Sequence, residues 1–410
     1  ADQMQFGCRL FHKDDEGRVS HESYKTICMY YTGGEREESL VQVWAALDPE
    51  NKGYVDGDAL EAELLRTGLE EEQNPLRRPG ESMDDSKLPL LFGSPEWKII
   101  MPLFRAIQCG LRTTPPDCRE RAMDVNGIII WEYEPAKFAE LRKVFGLTPD
   151  KYLQSLGIRN LIASLLLADL AIPKPLSATG KSGGYFFMAH DGSLIVKSIM
   201  ENEAMNLIEC LPSLLQHFKT YPNSLITKFC GLFKSSEGDT WFIVMQNVMP
   251  PNVSVKTVYD LKGSAYHRST PMEKRTSPFS ALKDLDLPEP LVLVDQQEHT
   301  LLMSQIERDA AWLETQEFVD YSLLVMIAVP RDDVPTSQSV AAEGWKCFHS
   351  RGQERFYIGV IDVLTKFNAI FALATKVKNE LHENPSWQPP PQYSKRFVAH
   401  MQENVFRLEG

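Results

Sequence analysis

No stretch of the 410 residues approaches the ~20 apolar positions that a membrane-spanning helix needs; the longest such run is Leu323 to Val329. Cysteine is sparse. The seven, at 8, 28, 109, 118, 210, 230 and 347, are odd in number, scattered and never spaced CxxC. That spacing argues against a disulfide framework or a zinc cage and for a reducing compartment. Positive charge is short as well, with 43 Lys+Arg against 56 Asp+Glu and a formal net charge of −13. Nucleic acid is therefore not expected as a partner, because phosphate contacts call for net positive charge. No basic-then-apolar signal pattern opens the sequence at Ala1. The expectation is a soluble, cytoplasmic protein. Its 43% hydrophobic content is too high for a disordered chain, and its length suggests two or three domains.

The acidity is concentrated at one end. Residues 1–90 hold 10 Lys+Arg and 20 Asp+Glu, so the other 320 residues are nearly neutral. A local basic face on that larger part remains compatible with an anionic membrane. The polar stretch from Glu70 to Lys87 reads as a linker. The division expected is 1–69 for an N-terminal module, 70–90 for the linker and 91–410 for the main domain.

The N-terminal module carries two loops with a calcium-site pattern. In the second, Asp48, Glu50 and Asp56 stand at loop positions 1, 3 and 9, Gly53 at 6 and Val55 at 8, as in an EF-hand. The first repeats the glycine and aliphatic positions with Gly17 and Val19. Gly17 and Gly53 lie 36 positions apart, a spacing that suits two paired helix–loop–helix units. Position 12, where a bidentate Glu closes a calcium shell, is Ser23 in one loop and Ala59 in the other. His12 at position 1 of the first loop and Lys52 at position 5 of the second weaken the sites further. The reading is a degenerate EF-hand-like pair, small and all-α, serving structure or docking and binding no calcium.

The larger part holds a phosphate-handling pattern. Gly180, Lys181, Ser182, Gly183 and Gly184 precede two short apolar runs around Asp191-Gly192, which reads as an antiparallel hairpin ending near Lys197. Glycines there let backbone N–H groups approach a polyphosphate, and a strand lysine held by a carboxylate can bridge its oxygens. Glu203 opens a helical apolar pattern through Leu207, Ile208, Leu211, Leu214 and Leu215. Glycine loop, strand lysine and helix glutamate are the parts of a protein-kinase N-lobe. A glycine turn alone is equally an ordinary hairpin. The protein-kinase HRD and DFG words are absent. In their place stand Tyr259-Asp260-Leu261-Lys262-Gly263-Ser264, Phe318-Val319-Asp320-Tyr321 and Gly359-Val360-Ile361-Asp362, each with an Asp beside an apolar run.

Taken together, GKSGG, Lys197, Glu203, LPSLLQHFKTYPNSLITKFCGLF, VMQNVMP, YDLKGSAYHR, LKDLDL, VDYSLL and VIDVL resemble the phosphatidylinositol phosphate kinases from about Trp97 to Phe406. The preceding EF-like pair is similar to an arrangement in some protist members. The resemblance implies an α+β, two-lobed lipid-kinase fold with an antiparallel N-lobe sheet. It implies ATP and Mg²⁺ as cofactors, with residues 180–184 over the phosphates and Lys197 contacting them while pairing with Glu203. The segment containing Met245 and Asn247 would hold adenine. Asp320 would orient or deprotonate the inositol hydroxyl, and Asp362, with Asp320, would serve the metal. Asp260, Lys262 and Arg268 would face substrate. The implied reaction is phosphorylation of a membrane phosphatidylinositol monophosphate, with the 4-phosphate lipid favoured; a 5-phosphate-preferring kinase and a weakly catalytic lipid-binding scaffold are the alternatives.

After Asp362 the family's basic cluster is missing, and the first lysines past Lys366 are Lys376 and Lys378, taken as headgroup contacts. Phe367, Ile370, Phe371 and Ala374 follow i, i+3, i+4, i+7 spacing, which fits either an amphipathic helix at a bilayer or one packed on the C-lobe. The partners expected are an anionic membrane surface with its phosphoinositide, and a second copy or a regulatory protein at the N-terminal module. The enzyme would sit peripherally on the cytoplasmic face of membranes.

Overall fold

The computed structural model describes residues 18–21, 24, 44–56, 59–60, 95–111, 113, 117–125, 127–156, 174–175, 184–189, 191–250, 253–265, 268–275, 281–330, 346–368 and 388–409. The 70–90 linker, Gly180 to Gly183 with Lys181 and Ser182 between them, Ile370, Phe371, Ala374, Lys376 and Lys378 lie outside the described residues.

The smaller lobe is built on a seven-stranded sheet in which every pairing is antiparallel. Its strands are β3 (Glu120–Val125), β4 (Ile128–Tyr133), β5 (Lys174–Pro175), β6 (Phe186–Met188), β7 (Leu194–Ile199), β8 (Phe229–Ser235) and β9 (Thr240–Gln246). The spatial order is β3-β4-β8-β9-β7-β6-β5. Central β8 and β9 are apolar on both faces because both faces are covered, whereas edge strand β3 alternates with exposed charge. The Asp191-Gly192 hairpin forms as its sequence implies. Gly192 adopts φ 74° and the Asp191 carboxylate accepts from the Ser193 N–H at 3.0 Å.

Helix α1 (Pro95–Leu111) leads into this sheet, with α2 (Pro135–Val144) and α3 (Pro149–Leu156) between β4 and β5. The long helix α4 (Glu201–Thr220) follows β7 and buries Leu207, Leu211 and Leu214 of the expected stripe together with Phe218, while Ile208 and Leu215 of that stripe are partly buried.

The larger lobe carries a four-stranded antiparallel sheet of β10 (Val253–Leu261), β12 (Ser322–Pro330), β14 (Arg355–Ile361) and β13 (Cys347–His349), in the order β10-β12-β14-β13. Helices α5 (Gln296–Thr315) and α6 (Pro390–His400) pack together, and β11 (Leu291–Leu293) pairs in parallel with β15 (Phe406–Leu408). One apolar cluster runs from Leu207 and Leu211 of α4 through Leu323 and Val325 of β12 to Tyr393 and Phe397 of α6, so the lobes share a core.

Backbone bonds join the lobes too. Val360 of β14 donates to Leu225 O at 2.7 Å and its carbonyl accepts from Thr227 N at 2.9 Å. Asp309 of α5 holds the same connection from below, accepting from the Ser224 hydroxyl and Leu225 N–H at 2.8 and 2.7 Å.

Near the N-terminus, β1 (Arg18–Ser20) pairs antiparallel with β2 (Tyr54–Asp56), Val19 opposite Val55. A helical stretch over 44–47 ends at Asp48, whose carboxylate accepts from the N–H groups of Lys52 and Gly53 at 2.7 Å each. Residues 21, 24, 59 and 60 are helical as well, and the other helical parts expected of this module lie outside the described residues.

Candidate active site

β12 runs antiparallel to both of its neighbours, so its first residues lie beside the last residues of β10 and β14. Leu261 stands opposite Leu323, and Ser322 opposite Ile361. Lys262, Asp320 and Asp362 each fall just past such a strand end and so gather at one end of the sheet. A second ladder fixes the two carboxylates. Phe318 bridges to Lys366, Val319 N–H donates to Thr365 O at 2.9 Å, and Phe367 N–H to Glu317 O at 3.0 Å. The segment leading into Asp320 is thus zipped to the segment leaving Asp362.

That second segment is also tied to α4 of the smaller lobe. The Asn206 amide donates to Leu364 O at 2.9 Å, and Lys366 Nζ lies 2.7 Å from Glu209. Across the gap, Lys197 Nζ from within β7 reaches Asp362 Oδ1 at 3.2 Å. The Lys262 ammonium sits 2.7 Å from Asp320 Oδ1 and donates to the Asp320 carbonyl at 2.7 Å. One Lys–Asp pair therefore spans the mouth between the lobes, and the other lies in the larger lobe with its aspartate at the same sheet end.

Lys197 was expected to pair with Glu203, and the structure gives a different partner. Glu203 is the third residue of α4, and its carboxylate turns back to accept the Met200 N–H at 2.8 Å. A glutamate at that position satisfies an orphan donor of the helix start, which competes with reaching the strand lysine.

Arg268 and Asp260, expected to face substrate, are committed to each other. The Arg268 side chain is 8% exposed, donates from Nε to Asp284 Oδ2 at 2.6 Å and reaches the Asp260 carbonyl and carboxylate through Nη2. Burial opposes its charge, yet Asp260 and Asp284 together raise its pKa above the ordinary value. Asn247 is also buried, its amide donating to Gly192 O at 2.9 Å while its own N–H donates to Ser193 O. It locks the β6–β7 turn to the end of β9. Met245 lies within β9, partly buried, opposite Ile195. Gly184 alone of the glycine-loop residues is described, and it leads directly into β6.

Sequence reasoning missed Asp284. Its carboxylate accepts from Lys262 N, Gly263 N and Arg268 Nε at 3.0, 2.8 and 2.6 Å, and so clamps the turn that carries Lys262. Gly263 sits at φ 69°, where a Cβ would come within 3.0 Å of His400 Cβ. The signal was present in the word LKDLDL, but the partner turn lies about twenty residues upstream.

The chain resembles known proteins over this same region. A family model described as Phosphatidylinositol-4-phosphate 5-Kinase matches residues 167–344. A Plasmodium falciparum protein named phosphatidylinositol 4-phosphate 5-kinase is 28% identical over 318 residues, covering 68% of this chain and 18% of its own. The Gallus gallus phosphatidylinositol 4-phosphate 5-kinase type-1 beta is 27% identical over 324 residues, 67% of this chain and 58% of that one. The Arabidopsis thaliana phosphatidylinositol 4-phosphate 5-kinase 1 is 35% identical over 229 residues, 55% of this chain and 28% of its own.

Over residues 167–344 the chain carries a domain that matches the phosphatidylinositol phosphate kinase family.

It spans little more than half the length of the vertebrate relatives it matches and under a fifth of the Plasmodium one. The two-lobed arrangement with antiparallel sheets agrees with the fold expected for such a kinase. Among the described residues no helix is long and apolar enough to cross a membrane.

The donor set at the lobe mouth fits Mg²⁺. This ion keeps several waters and takes one or two protein carboxylates plus substrate phosphates, rather than a full protein cage. Asp362, half exposed, and Asp320 at the same sheet end would supply such carboxylates. Among the described residues no group of three or more metal-ligating side chains is found.

Proposed function

We propose that this protein is a phosphatidylinositol phosphate kinase, transferring the γ-phosphoryl group of ATP to an inositol hydroxyl of a membrane phosphatidylinositol monophosphate, the 4-phosphate lipid giving the 4,5-bisphosphate. The observation that carries the reading is the Lys197–Asp362 pair across the mouth between the lobes, with the Lys262–Asp320 pair at the same sheet end. Phosphoryl transfer asks mainly for in-line positioning and neutralised charge. Lys197 contacts the nucleotide phosphates. Asp362, with Asp320, would hold Mg²⁺, which neutralises charge on the β- and γ-phosphates when bound. Asp320 orients the attacking hydroxyl or accepts its proton, and Lys262 holds Asp320 in place by gripping both its carboxylate and its carbonyl. Backbone groups of residues 244–247 and of the 180–184 glycine loop hold the nucleotide. Lys376 and Lys378 contact the headgroup. The names of the relatives support the 4-phosphate substrate.

We further propose that the N-terminal module is a metal-free EF-like pair. The pairing of loop positions 7 to 9, Arg18–Ser20 against Tyr54–Asp56, supports it. Asp48 spends its carboxylate on two N–H groups, and Lys52 lies 2.7 Å from Glu50 at position 3. A protonated ammonium at that point opposes a cation. The domain boundaries proposed are 1–69, 70–90 and 91–410, with the protein peripheral on anionic, cytoplasmic membrane surfaces and able to pair with a second copy or a regulator through its first module.

The test is radiolabelled ATP with Mg²⁺ and vesicles carrying phosphatidylinositol, its 4-phosphate or its 5-phosphate. Asp362→Asn is run alongside. The expected result is label in the bisphosphate product, greatest from the 4-phosphate vesicles and lost in the variant. Absence of label from a folded protein that still binds the vesicles would overturn the reading in favour of a scaffold.

A further inference from the structure

Against the segment that joins the lobes lies a cavity of about 390 Å³, whose lining shares only Gln246 and Asn247 with the residues proposed to hold the nucleotide. Its walls come from both lobes. Phe145 and Phe218 form an apolar side, residues 222–228 and 246–248 run along it, and Lys346, Ile358 and Gly359 close it from the larger lobe. Two lysines line it, and none of its described lining residues is acidic. That is an unusual balance in a chain of net charge −13.

The two lysines approach from opposite lobes. Lys228 precedes β8, its Nζ 5.7 Å from the centroid of the Phe145 ring. Lys346 precedes β13, and its Nζ donates to Asn223 Oδ1 at 3.1 Å. Burial lowers the pKa of both ammonium groups. A cation held short of full solvation gains more from an anion than one in open water does, since the local dielectric is lower. Asn223 and Gln246 bring carboxamides to the same lining, whereas the Thr227 hydroxyl and the Asn247 amide, also there, already donate to Val360 O and Gly192 O. A dry packing defect would be walled by carbon alone, whereas two ammonium groups and these two carboxamides are donors suited to oxyanions.

From this arrangement we infer that the cavity is a binding site for a small, soluble, phosphate-bearing anion, held between Lys228 of one lobe and Lys346 of the other. Lysine is a compact point charge, which suits phosphate, and no arginine lies in the lining to favour a planar carboxylate. The size is within the usual range of small-molecule sites. The recess between two lobes favours a free anion over a headgroup still seated in a bilayer.

Calorimetric titration of the full chain with pyrophosphate tests the site, using Lys197→Met protein as background so that the lobe mouth contributes little. Replacing Lys346 with Met should weaken binding about tenfold or more, the loss of one charge-assisted contact. Lys346→Arg should keep most of the affinity, and Lys228→Met should act like Lys346→Met. The exposed position of Lys346 makes its variants the safer ones for folding. Pyrophosphate binding that is undetectable, or indifferent to Lys346, would overturn the inference. A second arm uses vesicles carrying phosphatidylinositol 4-phosphate; a Lys346 effect confined to vesicles would overturn a soluble ligand.

Discussion

Asp320 and Asp362 adopt φ of 63° and 57°, in the left-handed region where most side chains cost of order 1–3 kcal/mol. Aspartate and asparagine bear that conformation best, so Asn is the replacement that removes charge at Asp362 without adding backbone strain. Lys262 differs, because its ammonium grips Asp320 twice. Lys262→Met should leave ATP binding intact but lower kcat by about 10²-fold, the cost of a misplaced reacting group. Single-turnover labelling with a separate nucleotide-binding measurement checks this. Asp284→Ala leaves the buried Arg268 guanidinium with Asp260 alone, strips the Lys262 and Gly263 N–H groups of their acceptor, and should cost roughly 3–5 kcal/mol of stability by urea unfolding. Asp286 predicts a pH effect in the same loop. Burial would raise its pKa, but hydrogen bonds from Lys283 N, Thr270 and Ser269 bring it down to about 2. Its folded-state pKa is thus depressed, so its contribution is present above about pH 4 and lost as pH falls toward 2. Amide protection factors at Thr270 and Lys283 should drop across that window and stay flat between pH 5 and 7.

Among elements, α4 shows what was legible and what was not. Its apolar stripe, the β6–β7 hairpin and the strand character before each Asp follow from periodicity and turn chemistry over a few neighbouring residues. Partner choice does not. Glu203 could cap its own helix or reach Lys197, and the sequence contains both options; the local capping bond forms because it closes a short loop at little entropic cost. For the same reason the ladder between 317–319 and 365–367 and the Asp284 clamp were invisible, since each joins segments distant in sequence. This assigns Glu203 a helix-start role. Glu203→Gln, which retains an acceptor, should lower stability by less than about 1 kcal/mol and keep most lipid labelling, whereas Lys197→Met should abolish labelling. Equal loss in the two variants would mean that Glu203 instead holds Lys197 during turnover.

For the whole molecule, the question is what the acidic first module does to the kinase. An excess of Asp and Glu at this end is of the sign that would mask a basic membrane face, and on charge alone removing residues 1–86 would raise activity, most strongly in low salt. The structure supplies a second force. Val19, Tyr24, Trp44, Val55 and Leu60 are buried and belong to one apolar cluster with Ile100, Leu103, Phe104 and Ile107 of α1 and with Phe187 and Phe242 of the small-lobe sheet. Charge masking weakens as ionic strength rises, whereas burial of apolar side chains does not. Each large apolar side chain returned to water costs about 1.5–3 kcal/mol. Deleting residues 1–86 should therefore lower the melting temperature by a similar amount at 50 mM and 500 mM salt and increase binding of a hydrophobic dye. A deletion protein as stable as the full chain, and faster on anionic vesicles only at low salt, would show that the module acts through its charge and not as part of the small lobe's core.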